Sequence, residues 1–222
     1  MKQIDIKKDI LSAQEILAEE NREAFRKQGT FVLNLMSSPG AGKTTLLERT
    51  VELLKNTLTL GVIEGDIATS YDAERIRAHG IKAVQINTGG ACHLDSAMIR
   101  KALSEFSADA LDLLIIENVG NLVCPAEFNL GEDIKAVILS VTEGEDKPAK
   151  YPLIFRMAKA FIINKVDLLP YVDCSVDRIL RDVKNLNPGL KIFQISCTQK
   201  TGLNAWKEWL IREVQKKKRL ST

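Results

Sequence analysis

No stretch of this chain approaches the ~18–20 consecutive apolar residues that a bilayer crossing requires. The longest apolar runs, such as 113–116 and 136–139, are strand-sized, and no membrane partner is expected. An excess of one charge is also missing. The 31 Lys and Arg face 29 Asp and Glu, a formal net charge of +2, which argues against a broad basic face for nucleic acid. With 45% hydrophobic residues, the chain lacks the composition of intrinsic disorder. Its opening, MKQIDIKKDILSAQEILAEENREAF, has no uninterrupted apolar run of the secretory type, so a cytoplasmic location is expected. Neither an internal repeat nor a low-complexity linker is present. Cysteine is scarce at four: Cys92, Cys124, Cys174 and Cys197. A chain of 222 residues builds a core without disulfide staples, and cytosolic thiols stay reduced for packing, metal or redox work.

What is present alternates. Residues 4–26 carry Ile6, Ile10, Ala13, Ile16, Leu17 and Ala24 largely on one helical stripe, and Gly29 stops the helix. Short Val/Ile/Leu-rich runs follow at 31–35, 60–63, 83–86, 113–117, 136–141, 161–163 and 191–195. Between them lie helical stretches at 43–55, 72–79, 94–106, 152–158, 176–187 and 203–218. Strand–helix alternation with near-continuous apolar strands predicts an α/β fold, a parallel sheet with helices on both faces. The expected division is an N-terminal helix, 1–29, and one domain, 30–222. The closing basic run, 216–219, reads as a solvated helix end that suits the helix dipole.

After the first strand comes Ser37-Ser38-Pro39-Gly40-Ala41-Gly42-Lys43-Thr44-Thr45. This is a phosphate loop in which Ser37 replaces the usual first Gly. Small residues let backbone N–H groups converge on phosphate oxygens at a helix N-terminus. Lys43 then reaches the β- and γ-phosphates, and the Thr44 hydroxyl ligates Mg²⁺.

Asn164-Lys165-Val166-Asp167 follows a later strand. A carboxylate there accepts from guanine N1–H and its exocyclic amino group, which adenine cannot supply, and such sites discriminate by ~10⁴–10⁵. Placed after a phosphate loop, the motif selects GTP over ATP. The Ser196–Cys197 turn is positioned to back the base. Two acidic segments, Glu64-Gly65-Asp66 and Glu117-Asn118-Val119-Gly120, supply Mg²⁺ and switch candidates. Gly120 is the expected γ-phosphate reader and Glu117 holds a magnesium water. Asp66 either ligates the metal or orients the attacking water, with a turn role as the plain alternative. No glutamine stands ready to position that water. Arg75 and Arg77 are the arginine-finger candidates, and slow hydrolysis is expected.

Gly89-Gly90-Ala91-Cys92-His93-Leu94-Asp95 sets a thiol beside an imidazole, and Cys124 follows another strand. Such donors suit Zn²⁺ or Ni²⁺. Three ligands leave a position open, as a labile site requires. The alternative is two small buried cysteines and a helix-capping histidine, and spacing alone leaves both open. Cys174 and Cys197 show no partner histidine.

SSPGAGKTTLLE, GVIEGDIATSYDAERI, INTGGACHLDSAMI, IIENVGNLVCPAEFNLGE, KPAKYPLIF and INKVDLLPY together resemble the hydrogenase nickel-incorporation GTPases of the HypB family, in the family's order over most of residues 31–171. The resemblance implies a P-loop GTPase of the signal-recognition and nitrogenase-iron-protein class that couples GTP hydrolysis to nickel insertion into [NiFe]-hydrogenase. It implies a Ni²⁺ or Zn²⁺ site at Cys92, His93 and Cys124, and a homodimer that depends on GTP and metal. The implied partners are the hydrogenase large-subunit precursor and a nickel-delivering accessory protein. Two family features are missing here, the N-terminal Cys-x-x-Cys-Gly-Cys motif and a His-rich stretch, since His79 and His93 are the only histidines. The urease nickel GTPase, with Cys-Pro-His in place of Cys92-His93, a cobalamin-enzyme GTPase chaperone and a zinc-held structural dimer are the rival readings.

Overall fold

The computed structural model describes residues 6–66, 71–106 and 110–221. The expected helix start at Ile4 and part of the GVIEGDIATSYDAERI segment lie outside them. Seven strands form one parallel sheet: β1 Phe31–Ser37, β2 Leu60–Asp66, β3 Lys82–Asn87, β4 Leu113–Glu117, β5 Ile134–Ser140, β6 Ala160–Asn164 and β7 Lys191–Ile195. Their order is β3-β2-β4-β1-β5-β6-β7. The chain leaves β1 toward one edge and returns past it toward the other, so the carboxyl end of β1 is a topological switch point. Ligands of open α/β sheets bind at such points.

The helices are α1 Ile6–Gln28, α2 Lys43–Leu54, α3 Tyr71–Arg77, α4 Ser96–Leu103, α5 Cys124–Glu127, α6 Lys147–Lys150, α7 Pro152–Met157, α8 Val176–Leu186 and α9 Leu203–Ser221. Alternation along β1 shows how they are divided. Phe31, Leu33 and Leu35 face a core closed by Leu47 and Val51 of α2 and by Trp206 and Leu210 of α9. There the Trp206 indole donates to the Thr50 hydroxyl at 3.0 Å. On the other face, Val32 joins α1 and α4 while Met36 joins α7 and α8. Asn34 stands between those two clusters where a third apolar side chain would continue the row, and it is fully buried.

The expected elements are present with shifted ends. The 94–106 helix begins later, at Ser96, because Asp95 caps it by accepting from the Met98 N–H. Asp66, expected beyond a strand ending at 63, is the last residue of β2, and Glu117 ends β4 as expected. On α1 the buried face is Ala18, Asn21 and Phe25, while Ala13 and Ile16 are exposed, contrary to the expected stripe. Gln14 and Asn21 hide the true periodicity: both bond to Ser96 at the start of α4, and Asn21 also reaches the Leu130 carbonyl. The basic end of α9 is largely exposed, as expected, but two of its lysines are also paired. Lys217 pairs with Asp133 and Lys218 with Asp112.

Candidate nucleotide and metal site

The phosphate loop leaves β1 at Ser37, whose hydroxyl donates to the Ser38 carbonyl at 2.7 Å. Gly40 and Gly42 take φ of 79° and 91°, which L side chains seldom adopt. A cavity of about 530 Å³ opens above the loop, lined also by Asp66, Glu117 and Gly120. Inside it the Thr44 hydroxyl donates to Glu117 Oε1 at 2.8 Å, and Lys43 Nζ lies 3.4 Å from the same oxygen. A hydroxyl and two carboxylates form an all-oxygen donor set, which fits Mg²⁺. Gly120 sits directly on the loop, where an added Cβ would lie 3.1 Å from the Pro39 nitrogen. Of the arginine-finger candidates, Arg75 lines the cavity and forks onto Glu48. Arg77 is excluded from that role, because its guanidinium holds the Ala83 carbonyl.

The Asn164–Lys165 pair braces the phosphate loop from the end of β6. Asn164 Nδ2 donates to the Ala41 carbonyl at 2.9 Å, and Lys165 Nζ to the Gly40 carbonyl at 2.8 Å. A Cβ on Gly42 would lie 2.5 Å from that Asn164 nitrogen. Gly42→Ala therefore combines a left-handed φ with a clash. Strain of ~1–3 kcal/mol corresponds to roughly 5–150-fold weaker nucleotide binding, measurable by titration with a fluorescent GTP analogue.

Asp167 is half-buried in the turn Val166–Tyr171. Cys197 is buried and its thiol contacts Asn164 Oδ1 at 3.4 Å. Burial pushes that thiol up to about 11, with Asp167 adding to the rise against Arg49. It stands as a neutral thiol beside Asn164. The turn behind it is closed by two backbone bonds between Ser196 and Thr201 and by the Gln199 N–H on the Ser196 hydroxyl.

Cys92 follows β3 and Cys124 opens α5 after β4, so their loops meet across β2 at the same end of the sheet as the phosphate loop. Cys92 Sγ is 3.1 Å from Cys124 Sγ and 3.6 Å from His93 Nδ1. All three donor atoms lie within 4.8 Å of one another. Cys92 is exposed and Asp95 does the capping, so neither part of the plain alternative holds. His93 stacks on Phe128 with ring centroids 3.8 Å apart. Burial lowers its pKa, against Asp95, which favours the neutral imidazole that binds metals. The hydrogen bond with Cys92 raises the Cys124 thiol, so metal binding there must displace protons. Asn121 ties the loops together: its amide donates to the Cys92 carbonyl at 3.3 Å, and its oxygen accepts from the Val123 N–H at 2.8 Å.

Asn121, Phe128 and the buried Asn118 are absent from the sequence-derived site. For the two asparagines the available signal was a polar residue interrupting an apolar run; Phe128 carried none.

A parallel sheet whose inner strand β1 feeds a glycine-rich loop onto a helix starting Lys43-Thr44 defines a P-loop nucleoside triphosphatase domain. A family model described as "CobW/HypB/UreG, nucleotide-binding domain" matches residues 31–194. The hydrogenase maturation factor HypB of Azotobacter chroococcum is 50% identical over 210 residues, 95% of this chain and 69% of that protein. Among solved structures, HypB from Archaeoglobus fulgidus superposes with a TM-score of 0.87 at 44% identity, covering 91% of this chain and 99% of that one. HypB from Helicobacter pylori in complex with nickel gives 0.88 at 41% identity, covering 92% and 96%. The chain belongs to the HypB family of hydrogenase maturation factors.

Proposed function

We propose that this chain is a GTP-hydrolysing metallochaperone that couples hydrolysis to nickel insertion into [NiFe]-hydrogenase. One observation carries the reading: the metal-type loops rest on the elements that read phosphate. Gly120 lies against Pro39, and the side chain of Leu94, next to His93, lies against Gly65, where an added Cβ would meet it at 2.7 Å. Lys43 and the loop N–H groups hold the β- and γ-phosphates. Thr44, Asp66 and Glu117 hold Mg²⁺, which neutralises charge developing on the transferred phosphoryl group. Asp167 selects guanine.

Cys92, His93 and Cys124 carry nickel as cargo, and the same donors accept zinc. The nickel complex of the Helicobacter pylori relative supports this. Three ligands leave an open position for water or a second copy of the chain, so GTP and metal together favour a homodimer. The partners are a hydrogenase large-subunit precursor and a protein that supplies nickel. The test is transfer from nickel-loaded protein to that precursor. Nickel is expected to move with GTP and stay with a non-hydrolysable analogue; equal transfer in both would remove hydrolysis from the account.

A further inference from the structure

The two ligand loops share no strand or helix, yet their donor atoms converge. One buried polar chain joins what lies beneath them. It begins at Asn118, between Glu117 and the Gly120 turn. Asn118 Oδ1 accepts from the N–H groups of Leu94 at 3.1 Å and Val119 at 3.0 Å. Its Nδ2 donates to Asn34 Oδ1 at 3.3 Å, and Asn34 Nδ2 donates to Glu132 Oε1 at 3.1 Å. The other Glu132 oxygen accepts from the Leu130 N–H at 2.6 Å. Glu132 is 3.7 Å from Lys135 Nζ. That ammonium donates to the carbonyls of Pro125, Ala126 and Phe128 at 3.2, 3.0 and 2.7 Å. All four residues are buried.

A buried ion pair is a poor source of stability, because desolvating both charges offsets their attraction. Its geometry is what is distinctive. Lys135 grips three carbonyls at the end of α5, the helix Cys124 begins, and one belongs to Phe128, the ring His93 stacks on. Asn118 grips the N–H two residues after Cys92. Outer-shell groups of this kind orient metal ligands.

We propose that Lys135 and Asn118 are positioning residues for the metal. Lys135 sets the Cys124 half and Asn118 the Cys92–His93 half. The chain between them makes both halves follow the Gly120 turn when it meets a γ-phosphate. This rests on the reading of Cys92, His93 and Cys124 as nickel ligands under GTP control.

The experiment is titration of the full chain with nickel(II), with and without a non-hydrolysable GTP analogue, following thiolate-to-nickel absorption. Lys135→Met, and the pair Glu132→Gln/Lys135→Met that avoids stranding a carboxylate, are expected to bind nickel ~10–100-fold more weakly. Their absorption should fall as Cys124 loses its place, while affinity for the GTP analogue stays within about twofold. Asn118→Ala should erase the difference between the two titrations. A merely structural role would lower melting temperature without changing the absorption of the bound metal. Wild-type affinity and absorption in all of these variants, with wild-type nickel binding that needs Cys92, would overturn the inference. Wild-type nickel binding that ignores Cys92→Ala would overturn the reading beneath it.

Discussion

Lys43→Ala is expected to lower GTP turnover at least about 10²-fold, the cost of removing one preorganised donor from a transition state that accumulates charge. The geometry gives that ammonium little other work. It begins α2 and points into the cavity, 3.4 Å from Glu117, where a bound γ-phosphate would compete for it. Its substitution leaves Gly40, Gly42 and the braces from Asn164 and Lys165 in place. The loop should therefore keep its shape and bind nucleotide weakly while failing to turn it over. A steady-state phosphate-release assay reads this directly, and turnover within about threefold of wild type would remove Lys43 from the chemistry.

Cys92→Ala should cost nickel affinity about 10²–10³-fold and leave GTP affinity within about twofold. Structural zinc sites gain ~10–16 kcal/mol from four ligands, so one ligand corresponds to roughly 2.5–4 kcal/mol, or two to three powers of ten. Cys92 is exposed and is not among the phosphate-loop residues proposed to hold the nucleotide, so the loss should be confined to metal. Cys174→Ala is the control. That thiol packs beside the α7–α8 cluster, and nickel binding should not change. Equal nickel binding by the Cys92 and Cys174 variants would dissolve the ligand assignment.

The sheet was legible because its strands are covered on both faces and read as unbroken apolar runs. β4 and β7 have the bounds that their residues predict. The nucleotide side was legible for a different reason. A phosphate loop concentrates glycines, a lysine and a threonine within a few positions, and the strand and helix flanking it restrict where it can sit. Cys92, His93 and Cys124 were legible as donor types, but only the fold brings residues 32 positions apart to one point.

The helices α5 and α6, four residues each, are too short to show a period. The face of α1 was misplaced because it turns Gln14 and Asn21 inward, polar residues whose partners lie at the start of α4 and in the loop before β5. The chain from Asn118 to Lys135 was illegible for the same reason at longer range. Asn34 meets a partner 98 positions away and another 84 away. A lone polar residue in a strand announces that it needs a partner, but not which one.

The proposed coupling links nucleotide state to metal affinity through one end of this sheet. Nickel titration of the wild-type chain with and without a non-hydrolysable GTP analogue, read alongside its mass in solution, tests it most directly. Two different affinities are expected, with a shift to twice the protomer mass when analogue and nickel are both present. Identical affinities with an unchanged mass would contradict it.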